Sequence, residues 1–146
     1  MEGQHSLSSA SALAHAEQAT KALARDPRIL LVYVFGSAVA PARPQVRDVD
    51  LAVLTAPALS LDELMRLRAD LVDATRAPID LVALNDASIV LAHEVVDSGR
   101  CLFVRTPEIE VEFVTRARAR YWDFKPYRDE QWRLAGERLA ERQRGS

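Results

Sequence analysis

Val34-Phe35-Gly36-Ser37 is followed, after ten residues, by Asp48-Val49-Asp50-Leu51-Ala52-Val53. Ile29 to Phe35 is a short, nearly continuous apolar run with β-branched and aromatic residues, and it reads as a central strand. Asp48 to Leu54 reads as the next strand. The connection between them is too short for a helical crossover, which predicts an antiparallel pair. Side chains alternate along a strand, so Asp48 and Asp50 point one way while Val49 and Leu51 fill the other face. Two carboxylates on one side repel unless something positive lies between them. Both are hard oxygen donors suited to Mg²⁺. Glycine lets backbone approach a ligand closely, and the Ser37 hydroxyl with its neighbouring N–H groups suits phosphate oxygens.

Outward from this pair, Ser11 to Ala24 is rich in helix formers and ends at Asp26-Pro27. Ser37 to Ala40 predicts a brief helix, and Pro41 to Gln45 a loop. Ser60 with Glu63 forms a capping box ahead of a helix to about Thr75, with an apolar stripe of Leu61, Leu64, Leu67, Leu71 and Val72. Ile79 to Leu84 is a third strand and opens with another acid, Asp80. Asp86 is the expected cap of a helix through Val96, ended by Ser98-Gly99. Cys101 to Val104 is a fourth, short strand. Thr106-Pro107-Glu108 starts a helix of about 108–124. Pro126 is expected to break it, leaving a last helix from Tyr127 to Arg142. The class is α+β, with helices packed on a small mixed sheet. The expectation is one domain, 1–146, with a core of about 11–104 and a helical extension of about 107–143.

Composition narrows the field. The chain has 146 residues, 49% of them apolar and 27% charged, ordinary for a folded domain. Its 19 basic and 21 acidic residues give a net charge of −2, so no direct nucleic-acid binding is expected. No apolar run reaches transmembrane length, and the first residues lack the pattern of a secretory signal. Cys101 is the single cysteine, which predicts a structural thiol and a reducing cytoplasmic setting. His5, His15 and His93 have no metal-ligand or nucleophile partner by spacing.

If the third strand lies beside the first two, Asp48, Asp50 and Asp80 converge. Three such carboxylates suit phosphoryl or nucleotidyl transfer: Asp48 and Asp50 bridge metals that neutralise a triphosphate, and Asp80 supports the attacking hydroxyl.

Gly36-Ser37, ten residues, then Asp48-Val49-Asp50, with a later strand-borne acid, resembles the minimal nucleotidyltransferase (MNT) family of the DNA polymerase β-like superfamily. Gly36, Ser37, Asp48 and Asp50 match its named positions, and Asp80 is the natural match for its third carboxylate. Arg120-Tyr121-Trp122-Asp123-Phe124-Lys125-Pro126-Tyr127 is similar to a C-terminal feature of small bacterial members. The resemblance implies a polymerase β-like fold, Mg²⁺ as metal at the three aspartates, and ATP as nucleotide donor. It further implies transfer of AMP to a tyrosine of a partner HEPN-domain ribonuclease toxin, with this chain as the antitoxin. An antitoxin that neutralises by binding, and transfer to a small molecule such as an antibiotic, are the alternatives.

The chain departs from the family at two places. Ala38-Val39-Ala40-Pro41 stands where basic residues and a glycine are common, and Arg47 where a serine often precedes the first aspartate. Arg47 or Arg43 supplies charge to the triphosphate from another position, or is a solvated loop residue. Arg116, Arg118 and Arg120 either frame the cleft, meet an acidic partner or form a solvated face. Tyr121, Trp122, Phe124, Tyr127 and Trp132 are expected to pack in the core.

Overall fold

The computed structural model describes residues 7–40 and 46–145. His5 and the Pro41–Gln45 loop, with Arg43, lie outside them. The elements are α1 (Ser9–Ala24), β1 (Ile29–Phe35), a 3-10 turn (Gly36–Val39), β2 (Val49–Thr55), α2 (Leu61–Thr75), β3 (Ile79–Ala83), α3 (Ile89–Ser98), β4 (Arg100–Val104) and α4 (Pro107–Arg144). The four strands form one sheet in the order β3-β2-β1-β4. β1 is antiparallel to β2 and to β4, whereas β2 and β3 are parallel, with α2 as their crossover. The fold is the expected α+β mixed sheet.

Local signals place most of the elements. The Ser8 hydroxyl accepts from Ser11 N at 3.1 Å and starts α1 two residues earlier than its alanine-rich stretch implies. Ser60 and Glu63 close their capping box, each side chain accepting from the other's backbone N–H, at 3.1 and 2.9 Å. Leu71 is buried and Leu64, Leu67 and Val72 pack beside it, whereas Leu61 stands 72% exposed at the first turn.

Strand alternation divides the core between the two faces of the sheet. Val32, Val34, Val49, Leu51, Ile79 and Leu81 pack under α1 and α2. Leu31, Tyr33, Phe35, Ala52 and Leu84 meet α3 and the first half of α4. β1 is buried on both faces, which explains its continuous apolar run. Each such Leu or Val stabilises the fold by about 1.5–3 kcal/mol through burial.

Three expectations need correction. The cap of α3 is Ser88, whose hydroxyl accepts from Leu91 N at 3.1 Å, and not Asp86. Residues 84–87 are taken up by a turn in which Ala87 N donates to Leu84 O, so the helix starts later. Next, α4 runs unbroken through Pro126 as one helix of 38 residues. Proline removes one N–H from the helix interior, but side-chain contacts bridge the site. Arg128 lies 5.3 Å over the Tyr121 ring, Phe124 and Tyr127 rings are 6.2 Å apart, and Lys125 pairs with Asp129 at 3.5 Å. Finally, the C-terminal aromatics are not core. Trp122, Tyr127 and Trp132 are 75%, 63% and 67% exposed, because no residue of α4 after Ala117 is buried. Tyr121 instead stacks on His93, ring centroids 3.5 Å apart, joining α4 to α3.

Candidate active site

Gly36 ends β1 opposite the start of β2, since Phe35 and Asp50 are register partners. Its φ is +74°, a backbone conformation that L side chains rarely adopt. A Cβ here would also collide with Oδ2 of Asp50. Glycine is therefore required twice over, by conformation and by space. The turn that follows seats Ser37 beside Asp50 in one open cleft of about 600 Å³, together with Val39, Glu94 and Ser98.

β2 and β3 are in parallel register, with Asp50 opposite Asp80. Both acids lie on the α3–α4 face, opposite the Val49–Leu51 face, as alternation requires. Burial first, then the charges of Asp80, Asp48 and Glu94, push the Asp50 carboxyl up to about 6. Asp80 is more open. Its Oδ1 accepts from Leu81 N at 3.1 Å and lies 3.8 Å from Nε of Arg68 on α2. Arg68 Nε is held in place by donating to Ile79 O at 2.9 Å. Asp48 and Arg47 are exposed just before β2. Neither lines the Gly36 cleft.

Thus Gly36, Ser37 and Asp50 share a cleft, Asp80 stands one strand away, and Asp48 and Arg47 lie exposed just before β2, outside the cleft's lining. Among the described residues, no three His, Cys, Asp or Glu side chains cluster tightly enough to hold a metal alone. The donor chemistry nevertheless fits Mg²⁺, which accepts one or two carboxylates and fills its remaining positions with water and phosphate oxygens. The raised Asp50 carboxyl fits as well, because a cation beside it offsets the cost of burying its charge and the repulsion of its acidic neighbours.

Glu94, Ser98 and Arg68 were not singled out by sequence. A charge inside the apolar stretch Ile89 to Val96 was the signal available for Glu94; Ser98 and Arg68 carry no local mark. The single thiol is no nucleophile here, since burial, with Glu110 adding to it, pushes Cys101 up to about 11.

A family model described as polymerase beta, nucleotidyltransferase matches residues 17–108, and the chain belongs to that family. Within it, the chain is similar to the protein adenylyltransferase MntA of Shewanella oneidensis, with 37% identity over 83 residues. That stretch spans 56% of this chain and 60% of the relative. Among solved structures, it resembles a chain of the S. oneidensis complex between a tri-AMPylated HEPN toxin and its MNT antitoxin. The TM-score is 0.70 at 27% identity, over 85% of this chain and 98% of that one. A toxin–antitoxin structure with AMP-PNP matches with a TM-score of 0.71 at 29% identity, over 82% and 97%.

Proposed function

We propose that this chain is a Mg²⁺-dependent adenylyltransferase that moves AMP from ATP to a tyrosine of a HEPN ribonuclease toxin, and so serves as its antitoxin in a reducing cytoplasm. The observation that carries the reading is the fit of Gly36 against the Asp50 carboxylate, in register with Asp80. The similarity to an adenylyltransferase and to an antitoxin crystallised with a modified toxin supports the acceptor class.

In this reading Gly36 and Ser37 bind the triphosphate through backbone N–H groups and the serine hydroxyl. Asp48 and Asp50 would hold Mg²⁺, whose charge, when bound, offsets that of the phosphates. Arg47, exposed beside Asp48, adds positive charge at the edge. Asp80 receives the proton of the tyrosine hydroxyl as its oxygen bonds to the α-phosphorus, and the bond to pyrophosphate breaks. Arg68, 3.8 Å away and anchored on Ile79 O, orients the Asp80 carboxylate for that role.

The test is incubation of the chain with labelled ATP, Mg²⁺ and the product of its neighbouring gene, which the reading expects to be a HEPN toxin. Label should appear on a toxin tyrosine, and Asp50→Asn should abolish it with the fold intact. No transfer to a folded toxin, under conditions where the S. oneidensis enzyme works, refutes the activity. The exposed Trp122, Tyr127 and Trp132 favour a second reading, neutralisation by binding alone. Neutralisation that survives loss of both Asp48 and Asp50 carboxylates would establish it.

A further inference from the structure

A second cavity, of about 110 Å³, lies between α3, α4 and the far ends of β2 and β3. Leu54, Leu84, Ile109 and Phe113 give it an apolar floor, and Arg116 and Arg120 stand one helical turn apart on its wall. Arg28, Arg68, Arg128 and Arg133 each meet a carboxylate. Among the described residues, neither Arg116 nor Arg120 has such an ion pair, although the lining includes Glu112. Asn85 is not available to a ligand. Its Oδ1 accepts from Thr55 N at 3.1 Å and its Nδ2 donates to Thr55 O at 2.7 Å, which braces the wall.

We infer that this cavity, with Arg116 and Arg120, receives an acidic segment of the protein acceptor; the inference rests on the proposed reading that the acceptor is a protein. The size suits one side chain better than the donor nucleoside, since a cavity of about 150 Å³ takes a benzene ring. One apolar or carboxylate side chain fits. Leu54 follows Asp50 by four residues on β2 and on the same face, and Leu84, one residue past the end of β3, follows Asp80 by four. The cavity therefore stands about 13 Å from the carboxylates, the span of about four residues of extended peptide. The Gly36 cleft lies on the β1 side of Asp50, whereas this cavity opens over β2 and β3, on the Asp80 side. In-line displacement brings the attacking oxygen in opposite the leaving group, so the acceptor chain arrives from the cavity's side. The acceptor is then a tyrosine with an acidic residue about four positions away.

The experiment compares wild type with Arg116→Glu/Arg120→Glu and the milder Arg116→Gln/Arg120→Gln. Both arginines are exposed, so Tm should hold. The Michaelis constant for toxin is expected to rise about tenfold or more with charge reversal, with kcat and the Michaelis constant for ATP nearly unchanged. Reversing the acidic residue near the toxin tyrosine should restore it. An unchanged constant for toxin, or a rise confined to ATP, overturns the inference. Calorimetric binding of toxin reads the same site without chemistry. If wild type transfers no AMP yet the double variant binds toxin more weakly, the acceptor site stands and the catalytic reading falls. Equal affinity in both variants overturns the site whatever the activity.

Discussion

Gly36 and Asp50 are fitted to each other atom against atom: the space a Cβ would need on Gly36 is filled by Oδ2 of Asp50. Gly36→Ala is therefore expected to move the carboxylate and strain a φ of +74° together. The backbone strain alone costs about 1–2 kcal/mol. Misplacement at a reacting centre of about 1 Å costs about 100-fold in rate. Thermal melts with single-turnover transfer assays check both. A variant that keeps wild-type rate shows the close approach to be unimportant.

If Asp50 holds the proposed Mg²⁺, it links metal to stability with a sign that depends on what is bound. Without metal, burial and the neighbouring acids favour its protonated form, with a carboxyl near 6. Ionisation then opposes folding, and the penalty grows as pH rises from the ordinary carboxylate range through about 6. In EDTA, Asp50→Asn should melt higher than wild type at pH 7–8 and lose that advantage by about pH 4. With saturating Mg²⁺ the order should reverse, since only wild type gains binding energy. Melting curves with and without Mg²⁺ decide it. A wild type indifferent to Mg²⁺, with or without ATP, would count against Asp50 as a metal ligand.

Asp26 makes the opposite pH prediction. The Arg28 guanidinium, hydrogen-bonded to it at 2.7 Å, holds its carboxyl below the usual range against a smaller effect of burial. Its stabilisation is thus present above the ordinary carboxylate range and is lost as pH falls through the lowered value. Asp26→Asn should cost about 1 kcal/mol at pH 7 and next to nothing in strong acid. Urea melts at several pH values measure the convergence, and a pH-independent cost would mean that the amide fails for another reason.

Pro126 sits in a stretch of α4 with no buried residue, so its cost falls on local fraying and not on the whole fold. Pro126→Ala should recover up to about 3 kcal/mol of helix propensity there. Slower amide exchange beyond residue 126, with little change in global Tm, is the expected pattern. A large Tm increase would tie the arm to the core.

Sequence reading reached what is coded locally. The β1 run, the alternation of Val49, Asp50 and Leu51 along β2 and the Ser60–Glu63 box are short-range signals, and each stands where it was expected, whereas Asp48 falls just before the strand and outside the cleft. What it missed depends on distant partners. Ser88 displaced Asp86 because the preceding turn used four residues. Arg68 reaches Asp80 from another element, and Glu94 joins the cleft only once α3 packs over the sheet. The exposed aromatics were misjudged because exposure along α4 depends on where the sheet ends, not on residue type.

At 1.5 Å per residue, the 38 residues of α4 extend about 57 Å. The exposed Leu139 therefore lies about 30 Å along the axis from Arg120. A drug-sized molecule cannot touch both, whereas a folded protein can. Whatever engages the tip of that helix and the arginine cavity together has at least the breadth of a domain.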